Sequence, residues 1–166
     1  MKKSDPPLYY TYIKSPIDKL CLISNGGALT HLLMEKHRHA PHIESHWIEK
    51  ENLPIFNEAT RQLNAYFSGK LKTFNLPIDP SGTTFQKRVW RALMRIPYGE
   101  TLSYGQLAHR VGNPNASRAV GLANGRNPIS IIIPCHRVIG ASGSLTGYGG
   151  GVERKRFLLE LEGFKL

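Results

Sequence analysis

The residues with the clearest capacity for chemistry are Cys135 and His136, which are adjacent in the chain. A cysteine attacks as its thiolate, and an ordinary thiol with a pKa of about 8.5 stays protonated at neutral pH unless a base or a positive charge lies nearby. His136 could supply the base, but adjacent side chains point apart in a regular strand, so the two could cooperate only in a turn or through a bridging water. Because Cys-His pairs also occur in structural settings, the pair alone leaves a nucleophile and a structural thiol both open.

Glu162 is a third candidate. A helix predicted over residues 152–161 ends at Gly163, so the Glu162 carboxylate falls in the last turn, where the helix dipole disfavours negative charge. A partner imidazole would stabilise this carboxylate, and a buried carboxylate can fix the tautomer of a histidine that activates a nucleophile. The alternative is a surface glutamate that is tolerated at small cost.

The segment just before Cys135 would position it. Residues 131–133 are three isoleucines, and such a β-branched run predicts a buried strand. Pro134 interrupts regular pairing at the end of that strand. We therefore expect Cys135 at the exit of a rigid buried strand.

Two short helices joined by a tight turn are predicted upstream. Ser103 and Gln106 have capping-box spacing at the start of the first helix, Gly112 closes it, and Asn115 can cap the second. The pair forms either a helix-turn-helix unit or an ordinary helical hairpin. Helical spacing places the packed side of the second helix at Ala116, Ala119, Val120 and Ala123, and the outward side at Ser117, Arg118 and Gly121.

The N-terminal half indicates a different architecture. Residues 8–13, 19–23 and 28–34 predict a small antiparallel sheet, and helical spacing follows from Pro54 to Gly69. Residues 76–82 are rich in proline and glycine, so we expect an N-terminal α/β domain over 1–79 and a C-terminal domain over 80–166. The first helix of the C-terminal domain carries a basic stripe that is either a solvated face or a polyanion contact: Lys87, Arg91 and Arg95.

Charge and cysteine content narrow the class of protein. Residues 1–80 carry 10 Lys+Arg and 8 Asp+Glu, net +2, whereas residues 81–166 carry 12 and 4, net +8 of the total +10. The C-terminal half should therefore attract a polyanion. The chain has no apolar run long enough for a membrane span and no signal-peptide pattern, and its two cysteines favour a reduced compartment, so we expect a cytoplasmic protein that binds no membrane.

Residues 127–140, NPISIIIPCHRVIG, closely resemble the active-site signature of the O6-alkylguanine-DNA alkyltransferases. The similarity extends through residues 96–100, 103–104, 118–121, 146–148 and 158–163. It implies an α+β fold, with a small antiparallel sheet and a helix of ribonuclease H-like type followed by a mainly helical domain with a winged helix-turn-helix-like motif. The function that it implies is repair in one turnover: O6-alkylguanine, and also O4-alkylthymine, would be flipped out of double-stranded DNA and the alkyl group transferred irreversibly to the protein's own cysteine.

The resemblance also implies roles at individual positions. Cys135 would accept the alkyl group, His136 would be the base acting through a water, and Glu162 would orient His136. Asn127 would brace the active-site turn, and Tyr104 would hydrogen-bond the base and help protonate the departing guanine.

Further positions of the resemblance concern the substrate and DNA. Arg118 would enter the duplex and occupy the space left by the flipped base, beside Ser117, Ala119 and Gly121. Some family members carry proline at the position of Ser130 and serine at that of Gly149. The substrate pocket would be formed by Tyr104, Ser130, Val138, Tyr148 and Gly149.

No cofactor is expected, because the thioether product is stable, and neither an obligate protein partner nor an assembly beyond a monomer is indicated. Some family members bind a structural zinc, but Asn25 and Thr30, at the corresponding positions, cannot supply that site. The histidines within residues 31–46 lack an ordered metal-binding spacing and a neighbouring cysteine, so no metal is predicted there. Cys21 is predicted to be a buried strand residue.

Two rival functions would use the same residues. A cysteine hydrolase would also use Cys135 and His136, but it would need an oxyanion hole and would turn over many times. A DNA-binding regulator would use the helix-turn-helix unit and leave Cys135 structural or redox-sensing.

Overall fold

The N-terminal half of the computed structural model, which describes residues 7–145 and 147–166, contains a four-stranded sheet. Thr146, inside one of the stretches noted above, and residues 1–6 lie outside the described residues. The strands are β1 (Tyr9–Ile13), β2 (Leu20–Ser24), β3 (Leu29–Met34) and β4 (Ile48–Glu49), in the order β3-β2-β1-β4. The predicted antiparallel pairing of β1, β2 and β3 is present, and β4 adds a short parallel pairing to β1.

Helix α1 (Pro54–Phe67) covers this sheet. Proline at the first turn sacrifices no helical hydrogen bond, and Gly69, with a φ of 78°, allows the chain to leave the helix. Its buried face includes Phe56, Leu63 and Tyr66. Cys21 lies in β2, as predicted, but it is half-buried and not buried.

Helix α2 (Thr84–Leu93) opens the C-terminal half with a capping box between Thr83 and Gln86. The Trp90 indole N–H donates to the Ala123 carbonyl at 2.9 Å and so ties α2 to the helix that carries Ala123. Lys87 and Arg91 are exposed on the opposite side of α2. Arg95, the third residue of the predicted basic stripe, is also exposed but lies beyond the end of the helix.

Helices α3 (Tyr104–Arg110) and α4 (Ser117–Gly125) form the predicted helix-turn-helix. The capping box of Ser103 and Gln106 is present, but Asn115 does not cap α4; Ala116 occupies that position without a side-chain hydrogen bond. The packed side of α4 is formed by Val120, Ala123 and Asn124. Ala119 is exposed, so its predicted place on the packed side of α4 is wrong.

The predicted strand over residues 131–133 is wrong, because this segment is a buried turn. The Ile133 amide bonds back to the Ile129 carbonyl at 3.0 Å, and Ile131 adopts a φ of 73°, which no strand can contain. The isoleucines are buried because the turn lies inside the protein, so burial here did not indicate a sheet. Ile129 nevertheless pairs with Leu32 of β3, which joins the turn to the N-terminal sheet.

Four further elements complete the C-terminal half. The turn leads into a 3-10 helix (Cys135–Arg137) and then strand β6 (Val138–Ile139), which pairs in parallel with β5 (Leu102–Ser103). Helix α5 (Val152–Leu161) packs next to the 3-10 helix. One hydrophobic core runs through both halves and includes Leu22, Leu63, Leu93 and Ile133.

Candidate active site

Cys135 begins the 3-10 helix and is 5% exposed. Burial raises the pKa of its thiol to about 11, although a hydrogen bond from Asn127 and the charge of Lys155 both act to lower it. The resting side chain is therefore a protonated thiol. It needs a proton acceptor before it can act as a nucleophile.

Asn127 holds the buried turn that carries Cys135. Its side-chain amide donates to the Ile133 carbonyl at 2.7 Å, and its side-chain oxygen accepts from the Ile129 amide at 2.9 Å. These bonds satisfy backbone groups that the turn leaves without strand partners. Asn124 adds a longer bond, 3.5 Å, to the Cys135 carbonyl.

His136 and Glu162 form a buried pair, with 2.7 Å between His136 Nε2 and Glu162 Oε2. Arg137 donates to both oxygens of the same carboxylate at 2.8 and 3.0 Å, and the Tyr66 hydroxyl donates at 2.6 Å. Burial alone would raise the pKa of Glu162, but the hydrogen bonds and charges of His136 and Arg137 hold it well below its usual range. Glu162 is thus ionised. The donors from His136, Arg137 and Tyr66 stabilise its negative charge at the C-terminal end of α5, where the helix dipole disfavours it.

The two ring nitrogens of His136 have different environments. Nε2 faces the Glu162 carboxylate and must carry a hydrogen to bond it, whereas Nδ1 is buried and has no hydrogen-bond partner among the described residues. Burial lowers the pKa of His136, so the ring is neutral at pH 7. Its Nδ1 lone pair is therefore available to accept a proton.

Lys155 of α5 is a participant that the sequence analysis missed. It is fully buried, and its ammonium donates to the Val138 carbonyl at 2.5 Å. Burial lowers its pKa to about 8, and the nearby Cys135 opposes that shift. A signal was present in the sequence, because Lys155 stands three and four residues before the buried Leu158 and Leu159 and so shares their helix face.

Arg137 and Tyr66 were missed for a different reason. In the sequence, Arg137 is one more cation beside His136. Tyr66 occupies an apolar position of α1 and is 96 residues away from Glu162. Neither spacing suggests a shared carboxylate. Their contact exists only because the folded N-terminal helix meets the end of α5.

The residues expected to bind the substrate are buried to different degrees. Ser130, Val138 and Tyr148 are buried, and Tyr148 donates to the Met34 sulfur at 3.9 Å. Gly149 lies half-buried against His37, while Tyr104 is half-buried at the start of α3.

The expected DNA-contact residues lie on the outer side of α4. Arg118 and Ala119 are exposed, and Ser117 is half-buried. Gly121 is half-buried; a Cβ built there would lie 3.5 Å from the Tyr104 ring, which brings α4 close to that side chain. The structure thus separates two sets of residues: Cys135, His136, Asn127 and Glu162 inside the protein, and Ser117, Arg118 and Ala119 at its surface.

The histidines of residues 31–46 do not form a metal centre in the described part of the chain, which contains no group of three or more metal-ligating side chains. His31 bonds Thr30 and His37 packs beside Gly149, while His39, His42 and His46 are exposed. Within residues 7–145 and 147–166, no helix is long and apolar enough to cross a membrane.

Comparison with known proteins agrees with this arrangement. The ribonuclease-like domain of 6-O-methylguanine DNA methyltransferase, as a family model, matches residues 8–80, and the DNA binding domain of the same proteins matches residues 84–164. A methylated-DNA–protein-cysteine methyltransferase of Mycobacterium bovis is 56% identical over 155 residues, covering 93% of this chain and 92% of that protein. The chain belongs to the 6-O-methylguanine DNA methyltransferase family.

Other members of the methyltransferase family are similar over comparable lengths. A methylated-DNA–protein-cysteine methyltransferase of Methanosarcina acetivorans is 53% identical over 156 residues, covering 94% of this chain and 99% of that protein. The crystal structure of Mycobacterium tuberculosis OGT in complex with DNA superimposes with a TM-score of 0.86 at 56% identity, covering 93% of this chain and 92% of that one. The expected α+β architecture, with a ribonuclease-like N-terminal part and a DNA-binding C-terminal part, is confirmed.

Proposed function

We propose that the protein repairs DNA by taking an alkyl group from the O6 atom of guanine onto Cys135 in one irreversible turnover. The observation that carries this proposal is a buried cysteine followed by a neutral histidine whose Nε2 is held by Glu162 and whose buried Nδ1 has no hydrogen-bond partner among the described residues. The similar proteins of M. bovis and M. acetivorans are named methylated-DNA–protein-cysteine methyltransferases, and M. tuberculosis OGT is solved with DNA.

The proton of the Cys135 thiol goes to His136 Nδ1 through a water. Because the two residues are adjacent in a 3-10 helix, a relay through water fits better than a direct contact along a strand. The imidazolium that forms is stabilised by the ionised Glu162 carboxylate at 2.7 Å, while Arg137 and Tyr66 keep that carboxylate in place.

The sulfur then displaces guanine from the alkyl carbon. The C–S bond forms as the carbon–O6 bond breaks, and the Tyr104 hydroxyl supplies a proton to the departing guanine. The Lys155 ammonium opposes the rise in the Cys135 pKa that burial causes, so it favours the thiolate. The thioether product is stable, and each protein molecule therefore reacts once.

The alkylated base must leave the duplex before it can reach a buried thiol. We assign its extrusion to α4, where Arg118 fills the space that the base leaves. Ser117 and Ala119 are small, which lets the α4 backbone approach a shallow minor groove. Gly121 lies next to the Tyr104 ring, so the DNA-contacting helix directly adjoins the residue that would hold the flipped base.

The base pocket is formed by Tyr104, Ser130, Val138, Tyr148 and Gly149. Ser130 and Val138 flank the buried turn and the 3-10 helix, and Tyr148 approaches from the loop before α5. The same pocket would accept O4-alkylthymine, which presents an alkylated exocyclic oxygen in the same way. Neither substrate requires a cofactor or metal for this displacement.

The proposal extends to organisation and location. The two domains are residues 1–79 and 80–166, and the active unit is a monomer, which light scattering would find at 18.6 kDa. Two unpaired cysteines fit a reduced compartment, and the cytoplasm is the location we propose.

In the deciding experiment, the protein is mixed with duplex DNA containing O6-methylguanine, with the DNA either below or above the amount of protein. The mass of the intact protein is then measured by mass spectrometry. We expect a gain of one methyl group on Cys135 and no further reaction. Continued repair by a small amount of protein would indicate a hydrolytic or other multiple-turnover enzyme. DNA binding without any change in protein mass would indicate a regulator.

Two cysteine variants provide the matched comparison. Cys135→Ala should abolish transfer but retain DNA binding, because the buried thiol contacts no phosphate. Cys21→Ala should transfer normally, since Cys21 lies in the N-terminal sheet. Methyl transfer that survives in Cys135→Ala would overturn the assignment of the acceptor.

A further inference from the structure

The loop that carries Tyr148 rests on the N-terminal half of the protein. We call residues 147–151 the rim loop and residues 34–38 the buttress. The Arg38 amide donates to the Gly149 carbonyl at 3.0 Å, and the Tyr148 hydroxyl donates to the Met34 sulfur. A turn at the end of β3 thereby supports a wall of the proposed base pocket.

The contact is close enough to require glycine in the rim loop. A Cβ added to Gly149 would lie 2.8 Å from His37 Nε2, and one added to Gly150 would collide with the Met34 sulfur. Neither glycine has a positive φ, so an alanine could adopt the backbone conformation of either. Glycine is needed at these two positions because of space.

The buttress has few ways to move aside. Lys36 inside the buttress and His39 just after it have φ values of 56° and 59°, a region that non-glycine residues rarely occupy. His37 Nδ1 accepts the Met34 amide at 3.3 Å, which fixes the ring over Gly149. Burial lowers the pKa of His37 to about 4, with Arg154 and His39 adding to the shift, so the ring is an uncharged wedge at neutral pH.

Open space lies beside the rim loop. A cavity of about 680 Å³ separates Gly150 and Gly151 from Ile17 and Glu35, and Tyr148 and Arg38 also line it. A rim loop without its wedge could therefore shift without meeting packed atoms. Tyr148 contacts Met34, and the next residue, Gly149, lies against His37.

We propose that Met34 and His37, from the N-terminal domain, determine how bulky an alkyl group the protein accepts, by fixing the rim loop that carries Tyr148 and Gly149. This inference rests on the proposed alkyl transfer. It assigns a role in substrate specificity to the N-terminal domain. Another contact of that domain, the hydrogen bond from Tyr66 to Glu162, supports the pair of His136 and Glu162.

The test compares second-order rate constants for duplexes containing O6-methylguanine and O6-benzylguanine. In His37→Ala the rim loop is free to widen the pocket, and we expect the benzyl-to-methyl ratio to rise about 10-fold, the scale of one apolar contact in a pocket. His42→Ala, an exposed histidine near the same segment, is the matched control and should leave the ratio unchanged.

Gly149→Ala tests the same contact from the other side. It should lower the benzyl rate more than the methyl rate, and adding His37→Ala should restore both, because the two residues compete for one space. If Gly149→Ala does not fold, the ratio measured for His37→Ala alone decides.

The inference is overturned if His37→Ala, folded and able to transfer methyl, shows the same ratio as His42→Ala. It is also overturned if His37→Ala fails to rescue a folded Gly149→Ala variant. A wild-type protein that never becomes methylated would instead contradict the proposed function. The methyl rate of the wild type therefore separates the two failures.

Discussion

At the scale of single residues, the site combines a protonated, unreactive thiol with groups that can make it reactive. Burial holds the Cys135 thiol protonated, while the neutral His136 can accept its proton and the Lys155 ammonium favours the resulting charge. The 3-10 helix contributes Cys135 and His136, and α5 contributes Lys155. Reactivity should therefore respond to changes that leave the thiol itself untouched.

Replacing Lys155 by methionine tests this. The change keeps a long side chain but removes the charge, so the Cys135 pKa should rise and the rate of alkyl transfer should fall about 10-fold for each pKa unit. The rate constant with O6-methylguanine duplex between pH 7 and 8 is the measurement. DNA binding should be unchanged, because Lys155 is buried.

Arg156→Met is the control for Lys155, since it removes a neighbouring but exposed cation of α5. An unaltered rate in a folded Lys155→Met variant would show that the ammonium has no electrostatic effect on the thiol.

At the scale of elements, α4 carries an exposed arginine, Arg118, and packs through Gly121 against Tyr104 of α3. Arg118 is exposed in the first turn of α4, whereas Gly121 on the same helix adjoins Tyr104. The helix therefore reaches both solvent and the proposed base pocket. This arrangement suits a helix that opens DNA and delivers one base.

Arg118→Ala should slow repair in duplex DNA far more than reaction with free O6-alkylguanine base, because only the duplex requires extrusion. If Arg118 stabilises the flipped state by a few kcal/mol, the duplex rate should fall on the order of 10- to 1000-fold. Both rates are measured by protein mass. Arg126→Ala, at the other end of α4, is the matched control.

Equal losses in the two reactions of Arg118→Ala would contradict the extrusion role and point to a disturbed Cys135. Equal duplex losses in Arg118→Ala and Arg126→Ala would point to general charge attraction.

The elements also show what sequence reasoning could predict. The helices and the capping box at Ser103 were predictable because local spacing and local hydrogen bonds determine them. The strand over residues 131–133 was predicted wrongly. Isoleucine is favoured in a turn buried by tertiary packing as well as in a buried strand, so its presence does not distinguish the two. Asn127, whose side chain replaces the missing strand partners, is the residue that distinguishes the two, and only its contacts reveal this.

At the scale of the whole molecule, the Glu162 carboxylate joins the two halves. Tyr66 comes from α1, Arg137 is the last residue of the 3-10 helix, and Glu162 caps the C-terminal end of α5. Such contacts between distant segments leave no trace in local sequence spacing. They make the stability of the whole chain depend on a few titratable groups.

The protein should lose stability as the pH falls from about 6.5 to 5. The folded-state pKa values of His136, His31 and His37 lie below the ordinary value, so the unfolded chain binds protons that the folded chain does not. Stability is then complete above the unfolded pKa of about 6.5 and falls by up to about 1.4 kcal/mol per pH unit for each such histidine. Glu162, whose folded pKa is depressed, adds a loss in the same direction below about pH 4.3.

Urea unfolding between pH 5 and 7.5 measures this slope. His37→Gln should reduce it, whereas His42→Gln, which changes an exposed histidine, should not. A free energy of unfolding that is flat or rises toward pH 5 would contradict the assignment of these imidazoles as neutral. Lys155 contributes little to the slope below pH 7, because its folded pKa of about 8 keeps it mostly protonated there.

The burial of Cys135 also protects its sulfur before the protein meets alkylated DNA. A protein that reacts once keeps its capacity only if its sulfur survives peroxide and small electrophiles in the meantime, and those reagents attack exposed thiolates. At 5% exposure and with a pKa of about 11, the thiol offers them neither access nor charge. We therefore expect Cys135 of the unreacted protein to be oxidised slowly, so that active protein is lost mainly by reaction with damaged DNA.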